Sequence, residues 1–216
     1  MDLFEAIGTQ RAMRRLKDDP VSDEDVWKIL DAAIKAPSGG NRQPWNFIVV
    51  RDAETKRKLG EYYLDAWNKV YAEGGGQAAQ DDSSQSRVYR SANYLAHHLA
   101  EAPVLIIATV RGGGAAGGGA SIYPAVQNLM LAARALGLGT TLTSLHKLHE
   151  REVKELLGIP EGVETMALIP LGWPKGRFGA PERMPVEKVV YWEQWGDGGS
   201  SKRAGADDSG YARQRA

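Results

Sequence analysis

Apolar residues recur along the chain at helical and strand periods, and this pattern predicts most of its secondary structure. A helix starts at Ser22, because Asp25 follows three residues later as in a capping box and apolar residues then recur on one helical face until Pro37. Further helices are predicted over residues 55–67, 87–100, 122–136 and 150–157. Short runs of apolar, often β-branched residues predict strands over residues 46–50, 104–110 and 165–171.

Two of these elements carry information about the core. The strand over 104–110 has too few polar positions for one face to meet water, so we expect it to be buried. The helix over 122–136 is apolar almost all round, which is typical of a helix inside a core or an interface. Strands separated by helices of unequal length, without hairpin signals, predict an α+β fold rather than a barrel.

Polar, glycine-rich stretches set the domain organisation. Residues 73–86 and 196–216 hold too few apolar side chains to offset the entropy of ordering the chain. We therefore expect a flexible insert over 73–86 and a disordered tail over 196–216, which leaves one folded domain over 1–195. A glycine cluster over 112–120 predicts a mobile loop.

Composition and charge exclude several classes of function. The chain of 216 residues has 27 Lys and Arg against 27 Asp and Glu, a balance that argues against a nucleic-acid partner. It has no cysteine, which excludes disulfides, thiolate metal ligands and cysteine nucleophiles. The first residues lack the basic and apolar regions of a signal peptide, and the longest apolar run is far too short to cross a bilayer. We therefore expect a cytoplasmic protein without a membrane partner.

Four segments contain more polar and charged residues, in particular arrangements, than a core requires. The first is segment 10–16. Here Arg11, Arg14 and Arg15 precede the first capped helix. Residues three or four apart share a helical face, so at least two of these arginines can converge on one anion. The alternative is a solvated basic turn.

The second segment is loop 36–45, between the first capped helix and the first strand. Its two glycines permit positive φ, and Ser38, Asn41 and Gln43 offer hydrogen-bond donors and acceptors. Backbone N–H groups freed by such a loop can cradle a phosphate or the polar edge of a ring.

Segments 137–144 and 171–187 complete the set. The Gly-x-Gly in the former follows a helix and lacks a third glycine, so it is not a dinucleotide fingerprint. It indicates a strand edge that brings backbone amides and Thr hydroxyls to a planar ligand, or else an ordinary turn. In segment 171–187, Lys175, Arg177 and Arg183 stand among glycines and prolines, which favours a second anion clamp or else a surface loop.

Other chemistries are poorly supported by the sequence. His97 and His98 are adjacent and point to different sides of a helix, whereas His146 and His149 lack a third ligand nearby, so we expect no metal site. The chain has neither a nucleophile elbow nor a Walker A motif. We therefore expect no catalytic side chain, and a reaction carried by a bound cofactor.

Taken together, the four segments resemble the nitroreductase family of flavin-dependent oxidoreductases, over nearly the whole chain from Ala6 to Trp195. The matching motifs are R-x-x-R at 11–14, A-P-S-x-x-N-x-Q-P-W at 36–45, A-L-G-L-G-T at 135–140, and L-G-x-P followed by R-x-P-x-E within 171–187. The second motif is the most specific, and the four stand in the family's order at similar spacing.

The resemblance implies an α+β fold, with a mixed, mainly antiparallel sheet flanked by helices, and an intertwined homodimer that binds FMN at its interface. The residues implied to hold the phosphate and ribityl chain are Arg11, Ala12, Arg14 and Arg183. Those implied to reach the flavin from the other subunit are Pro37, Ser38, Gly39 and Asn41, with Gln43 as a further cofactor-binding candidate. Those implied to offer backbone N–H groups to the ring edge around N5 are Leu142, Thr143 and Ser144.

Two residues depart from the family pattern. Gln10 stands where many members have Arg, and Ala12 where many have Ser, so one charged and one hydroxyl contact are missing. The candidates to replace them are Arg15, Lys175 and Arg177, and the sequence leaves that choice open.

The resemblance implies a ping-pong oxidoreductase. NADH or NADPH would pass hydride to the flavin and leave, and an electron-poor small molecule such as a nitroaromatic or quinone would then take its place. Other flavin reactions (dehalogenation, dehydrogenation, flavin breakdown) and a non-catalytic flavin-binding role remain alternatives. Tyr62, Tyr63 and Trp67 are candidate lid residues over the acceptor, with a place in the core as the alternative.

Overall fold

The computed structural model describes residues 1–71, 83–112 and 118–196. The helices are α1 (Leu3–Thr9), α2 (Asp23–Ala33), α3 (Ala53–Tyr71), α4 (Ser84–His98), α5 (Gly118–Ala135) and α6 (Glu150–Leu157). The strands are β1 (Trp45–Val50), β2 (Val104–Arg111), β3 (Gly139–Thr140) and β4 (Val163–Gly172). The chain divides into two compact units, Met1–Ala180 and Pro181–Ala216, and these helices and strands belong to the first.

The four strands form one antiparallel sheet in the order β1-β2-β4-β3. Ile107 of β2 lies opposite Ile48 of β1 on one side and opposite Leu168 of β4 on the other. A short β3 pairs with the end of β4, where Thr140 faces Leu171. The predicted α+β class with a mainly antiparallel sheet is therefore confirmed.

The sheet is buried on both faces because helices pack against each side. Alternate residues of β2 point to opposite faces, so Ile106 joins a core with α2 and α5, while Ile107 joins a core with α3 and α4. Both side chains are fully buried, which confirms the prediction for this strand. On α5, Val126 and Leu129 are likewise fully buried within the first core, which confirms the prediction for this apolar helix.

Helix starts follow their capping residues. The Ser22 hydroxyl accepts the Asp25 N–H at 3.0 Å and so caps α2 as predicted. The Asp2 carboxylate caps α1, a helix that the apolar pattern did not predict. Ser83 caps α4 through the Ser86 N–H, so the prediction of a flexible insert is wrong for residues 84–86.

The prediction of a mobile loop is wrong for residues 118–120, which form the start of α5. The rest of the predicted flexible stretches falls largely outside the described residues. This applies to 73–82 of the insert, to 113–117 of the glycine cluster and to 197–216 of the tail. Within the described ranges, no helix is both long and apolar enough to span a membrane.

One buried polar side chain of the core, His146, has no hydrogen-bond partner among the described residues. It is fully buried, and the lack of a partner applies to both of its ring nitrogens. Burial lowers the pKa of His146 from 6.5 to about 4. The nearby Lys147 ammonium adds to this decrease, and the Glu150 carboxylate opposes it. The folded state therefore favours the neutral imidazole at pH values above about 4.

We expect His146 to make the protein less stable as the pH falls from 6.5 to about 4, because the unfolded chain takes up this proton before the folded one does. Replacing it by leucine removes that loss. Between pH 7 and 4 the free energy of unfolding should fall by about 3 kcal/mol more in the parent protein than in His146→Leu. Urea denaturation at several pH values measures the difference, with the exposed His97→Gln as control. Equal pH dependence in parent and His146→Leu would contradict the assignment.

Candidate active site

Segment 10–16 lies as an extended strip along the end of the sheet. The Met13 N–H donates to the Thr140 carbonyl of β3 at 2.9 Å. On its other side the Lys175 N–H donates to the Arg15 carbonyl at 2.9 Å. Backbone hydrogen bonds thus bring three of the four predicted segments together at one corner of the fold: 10–16, 137–144 and the start of 171–187.

Segment 10–16 can approach β3 closely because residue 139 is a glycine. A Cβ added to Gly139 would lie 2.8 Å from the Met13 Cβ, a distance that real Cβ atoms do not tolerate. The sequence Gly-Leu-Gly-Thr therefore serves the packing of segment 10–16 on β3, with Gly139 as the residue that needs to be glycine. The Gly137 N–H donates to the Arg134 carbonyl, and Gly137 has a φ of 83°. Gly137 therefore ends α5, as predicted.

This corner carries basic side chains that no acidic group balances. Arg14 is half-buried and Arg11 is exposed, and neither has an ion pair or a hydrogen-bond acceptor among the described residues. Burial lowers the pKa of Arg14, an effect that the neighbouring Tyr63 partly opposes. The side chains of Lys175 and Arg177 likewise have no acidic partner in the described ranges. Unpaired cations on two adjacent stretches form a natural anion site.

Arg15 takes a different path from its neighbour Arg14. Its guanidinium carbon lies 3.9 Å from the centre of the Tyr94 ring, in a cation–π contact with α4. Tyr94 in turn stacks on His98, with ring centres 4.0 Å apart. Arg15 is thereby engaged with α4, whereas Lys175 and Arg177 have no acidic partner among the described residues.

The chain after β3 forms an open sheet edge. The Thr143 N–H donates to the Leu168 carbonyl at 3.0 Å, and the Leu168 N–H donates back to the Thr143 carbonyl at 2.8 Å. Backbone groups alternate in direction along an antiparallel pair, so the N–H groups of Leu142 and Ser144 point away from β4. Neither has an acceptor within the described part of the chain. The resemblance implied that the N–H groups of Leu142, Thr143 and Ser144 face the flavin ring. The Thr143 N–H is instead bonded to the Leu168 carbonyl.

The Thr143 side chain contacts Tyr63, a residue that the sequence offered as a lid candidate but did not pair with Thr143. The Tyr63 hydroxyl lies 2.9 Å from Thr143 Oγ1, and the Tyr63 side chain is only 3% exposed. Trp67 is buried in the same core, so these two aromatics take the core alternative rather than a lid position. No local signal could have found the contact, because the two residues lie 80 positions apart.

Loop 36–45 is a strained and internally bonded turn. Ser38 Oγ accepts the Gln43 N–H at 3.0 Å, and the Gln43 side-chain amide donates to Asn41 Oδ1 at 3.2 Å. Gly40, Asn41 and Gln43 all have positive φ, which is costly for a residue such as glutamine. Pro37, Gly39 and the side chains of Asn41 and Gln43 are exposed. The loop thus holds polar groups outward in a fixed shape.

This loop does not join the other segments within one chain. It leads into β1, and β1 and β3 are the opposite edges of the sheet. Three strand spacings separate these edges by about 14 Å. Along the strands, Trp45 pairs with Val110 whereas Thr143 bonds to Leu168, which lies opposite Ile107, so a further offset of roughly 10 Å adds to the gap. The Gly39 N–H instead donates to Ser121 of α5 at 3.3 Å.

Two predicted residues have few described contacts. Ala12 is exposed between Arg11 and Met13 on the extended strip. Arg183 belongs to the second unit, where its guanidinium donates to the Glu182 carbonyl at 2.8 Å. Within the described ranges, no three His, Asp or Glu side chains converge as metal ligands would.

Known proteins resemble this chain over most of its length. The model of the nitroreductase family matches residues 7–173. A protein of Archaeoglobus fulgidus, named as a candidate NADH dehydrogenase/NAD(P)H nitroreductase, is 31% identical over 209 residues, which cover 90% of this chain and 99% of that protein. Iodotyrosine deiodinase 1 of Rattus norvegicus is 28% identical over 200 residues, which cover 88% of this chain and 68% of that protein.

A solved structure agrees with this result. The nitroreductase with bound FMN from Desulfitobacterium hafniense DCB-2 superposes with a TM-score of 0.69 at 25% identity, covering 89% of this chain and 100% of that one. The predicted family and its enzyme class are therefore confirmed: the chain belongs to the nitroreductase family.

Proposed function

We propose that this protein is an FMN-dependent oxidoreductase that takes electrons from NADH or NADPH and delivers them to an electron-poor small molecule such as a nitroaromatic or a quinone. The observation that carries the proposal is the corner where unpaired cations adjoin free backbone donors. The name of the Archaeoglobus relative and the FMN in the Desulfitobacterium structure support the choice of cofactors. The cytoplasmic location expected from the sequence stays a prediction.

The residues at this corner fit FMN in chemical character. FMN combines a dianionic phosphate with a flat ring whose edge carries hydrogen-bond acceptors. Arg11 and Arg14, which have no acidic partner among the described residues, match the phosphate end. A contact of Arg183 with the phosphate, which the resemblance implies, stays a prediction. The free N–H groups of Leu142 and Ser144 match the ring edge.

The chain's own part in the reaction is binding and electrostatics. When bound, FMN supplies the hydride chemistry, so no side chain has to act as acid, base or nucleophile. Arg11, Ala12 and Arg14 hold the phosphate and ribityl chain and so fix the position of the ring. Donors at Leu142 and Ser144 favour the more negatively charged, reduced state, because they are held by the sheet and need no reorganisation.

A second copy of the chain completes this site. Loop 36–45 exposes Pro37, Gly39, Asn41 and Gln43 and leaves Ser38 half-buried. It lies at the opposite edge of the sheet from the Arg11 corner of its own chain. In a symmetric homodimer the loop of one subunit meets the corner of the other. The loop's positive φ angles represent strain of the kind retained at functional sites.

Reductive dehalogenation is the second candidate function. It is favoured by the 28% identity to iodotyrosine deiodinase 1. Both reactions need the same reduced cofactor and differ only in the acceptor, so the choice of acceptor separates them. A non-catalytic flavin-binding protein would share the site but not the turnover.

An absorbance experiment tests the proposal. The protein is incubated with FMN, desalted, and mixed without oxygen with NADH or NADPH, and then with a nitroaromatic, a quinone or a halogenated phenol. Retained flavin that bleaches and then regains its colour with the nitroaromatic or quinone supports the proposal. Recovery with the halogenated phenol alone supports dehalogenation. Retained flavin that never bleaches indicates a binding protein, and no retained flavin refutes all three.

We expect Arg11→Gln and Arg14→Gln each to weaken FMN binding by about tenfold, because each removes a charge-assisted contact to the phosphate. Riboflavin, which lacks the phosphate, should lose little affinity. Fluorescence titration of both ligands measures the effect. The matched control is Arg151→Gln, since Arg151 is exposed on α6 and pairs there with Glu152. Equal losses for FMN and riboflavin would place these arginines away from the phosphate.

Mixed dimers test whether two chains share the site. One chain carries Arg11→Gln with Arg14→Gln, the other carries Ser38→Ala with Asn41→Ala, and two affinity tags select dimers with one of each. If loop and arginines meet across the interface, one site of each mixed dimer is intact and one FMN should bind per dimer. Both parental homodimers should bind weakly. Mixed dimers as weak as the homodimers would show that each chain builds its site alone.

A further inference from the structure

Tyr63 occupies a position that the function proposed above does not use. It lies on α3, buried in the core, yet its hydroxyl reaches Thr143 Oγ1 at 2.9 Å on the open sheet edge. The Arg14 guanidinium is an electrostatic neighbour of the same phenol. Tyr63 therefore touches one residue implied to bind the flavin and adjoins another, although it is not itself exposed to the site.

The direction of the Tyr63–Thr143 hydrogen bond follows from the two groups. Burial raises the pKa of the Tyr63 phenol, while the Thr143 bond and the Arg14 charge partly oppose the increase, so the phenol stays protonated at neutral pH. A phenol is a stronger donor than an alcohol, and a nearby positive charge strengthens it further. The favoured arrangement has Tyr63 donating and Thr143 Oγ1 accepting.

This direction leaves the Thr143 proton free to point elsewhere. The Thr143 backbone cannot move to accommodate it, since two hydrogen bonds tie it to Leu168. The Thr143 side chain is half-buried, and the exposed residues beside it are Leu142 and Ser144, whose N–H groups have no acceptor among the described residues. Because Tyr63 then occupies the acceptor side of Thr143 Oγ1, the Thr143 hydroxyl is available as a third donor at this edge.

We propose that Tyr63 is a positioning residue for the flavin: by occupying the Thr143 acceptor it aims the Thr143 hydroxyl at the bound ring and stabilises the reduced cofactor over the oxidised one. The inference rests on the proposed function, because it needs FMN at the edge formed by 142–144. A pre-oriented donor gains more from a ring that carries extra negative charge, which is why the effect falls on the reduced state.

The test is a double-mutant cycle of Tyr63→Phe and Thr143→Val, with FMN alone as the probe. Each change removes a hydroxyl and keeps the shape of the side chain. The affinity for oxidised FMN is measured by fluorescence titration, and the affinity for reduced FMN follows from the reduction potential of the bound cofactor. Thermal unfolding of the cofactor-free variants controls for a loss of stability.

We expect Tyr63→Phe to weaken binding of reduced FMN by roughly three- to tenfold and to leave oxidised FMN within about twofold, as for one neutral hydrogen bond. Thr143→Val should do the same, and adding Tyr63→Phe to it should have no further effect. The control is Tyr89→Phe, a partly buried tyrosine packed against the same core, which should change neither affinity.

Each of the following outcomes overturns the inference. Equal weakening of both oxidation states would mean that Tyr63 only supports the shape of the site. A loss that persists in the Thr143→Val background would mean that Tyr63 acts by another route. A parent protein that retains no FMN would refute the proposed function as well, whereas a parent that binds and bleaches while the cycle shows no coupling would refute this inference alone.

Discussion

The contact on which the candidate site depends is the packing of segment 10–16 between β3 and the chain that continues β4. Backbone hydrogen bonds from Met13 to Thr140 and from Lys175 to Arg15 hold the strip on both sides. The absence of a side chain at Gly139 lets it approach the strand closely. Because the backbone fixes this strip, Arg11 and Arg14 keep their places without acidic partners in the described part of the chain. Their charges are therefore available to a ligand.

Different parts of the fold provide its stability and its candidate binding site. Helices cover both faces of the sheet, and β2 runs through the middle with nearly every side chain buried. The polar groups of the candidate site lie at one sheet edge and one corner. There the N–H groups of Leu142 and Ser144 have no acceptor among the described residues. Arg14 is half-buried and has no acidic partner within residues 1–71, 83–112 and 118–196, which costs folding free energy. A loop with three residues at positive φ also costs folding free energy. Both are expected where a protein must recognise an anion and a flat ring.

The sequence predicted those features that depend on neighbouring residues. The periodicity located α6 at residues 150–157, and the Ser22 cap located the start of α2. Motif resemblance brought Arg11, Arg14 and Leu142 to attention, and the structure places them at one corner. Features that depend on distant pairs were not predictable: the Tyr63–Thr143 contact spans 80 positions. The hydrogen bond from the Thr143 N–H to the Leu168 carbonyl was not predictable either, since it depends on sheet register. Helix α1 was not predicted because it is too short for its apolar period to be recognised.

A crystal structure of the protein after loading with FMN tests the central claim most directly. We expect the phosphate against Arg11 and Arg14, the ring edge at the N–H groups of Leu142 and Ser144, and loop 36–45 of a second subunit closing the same site. A flavin bound away from segment 10–16, or enclosed by the loop of its own chain, would contradict it.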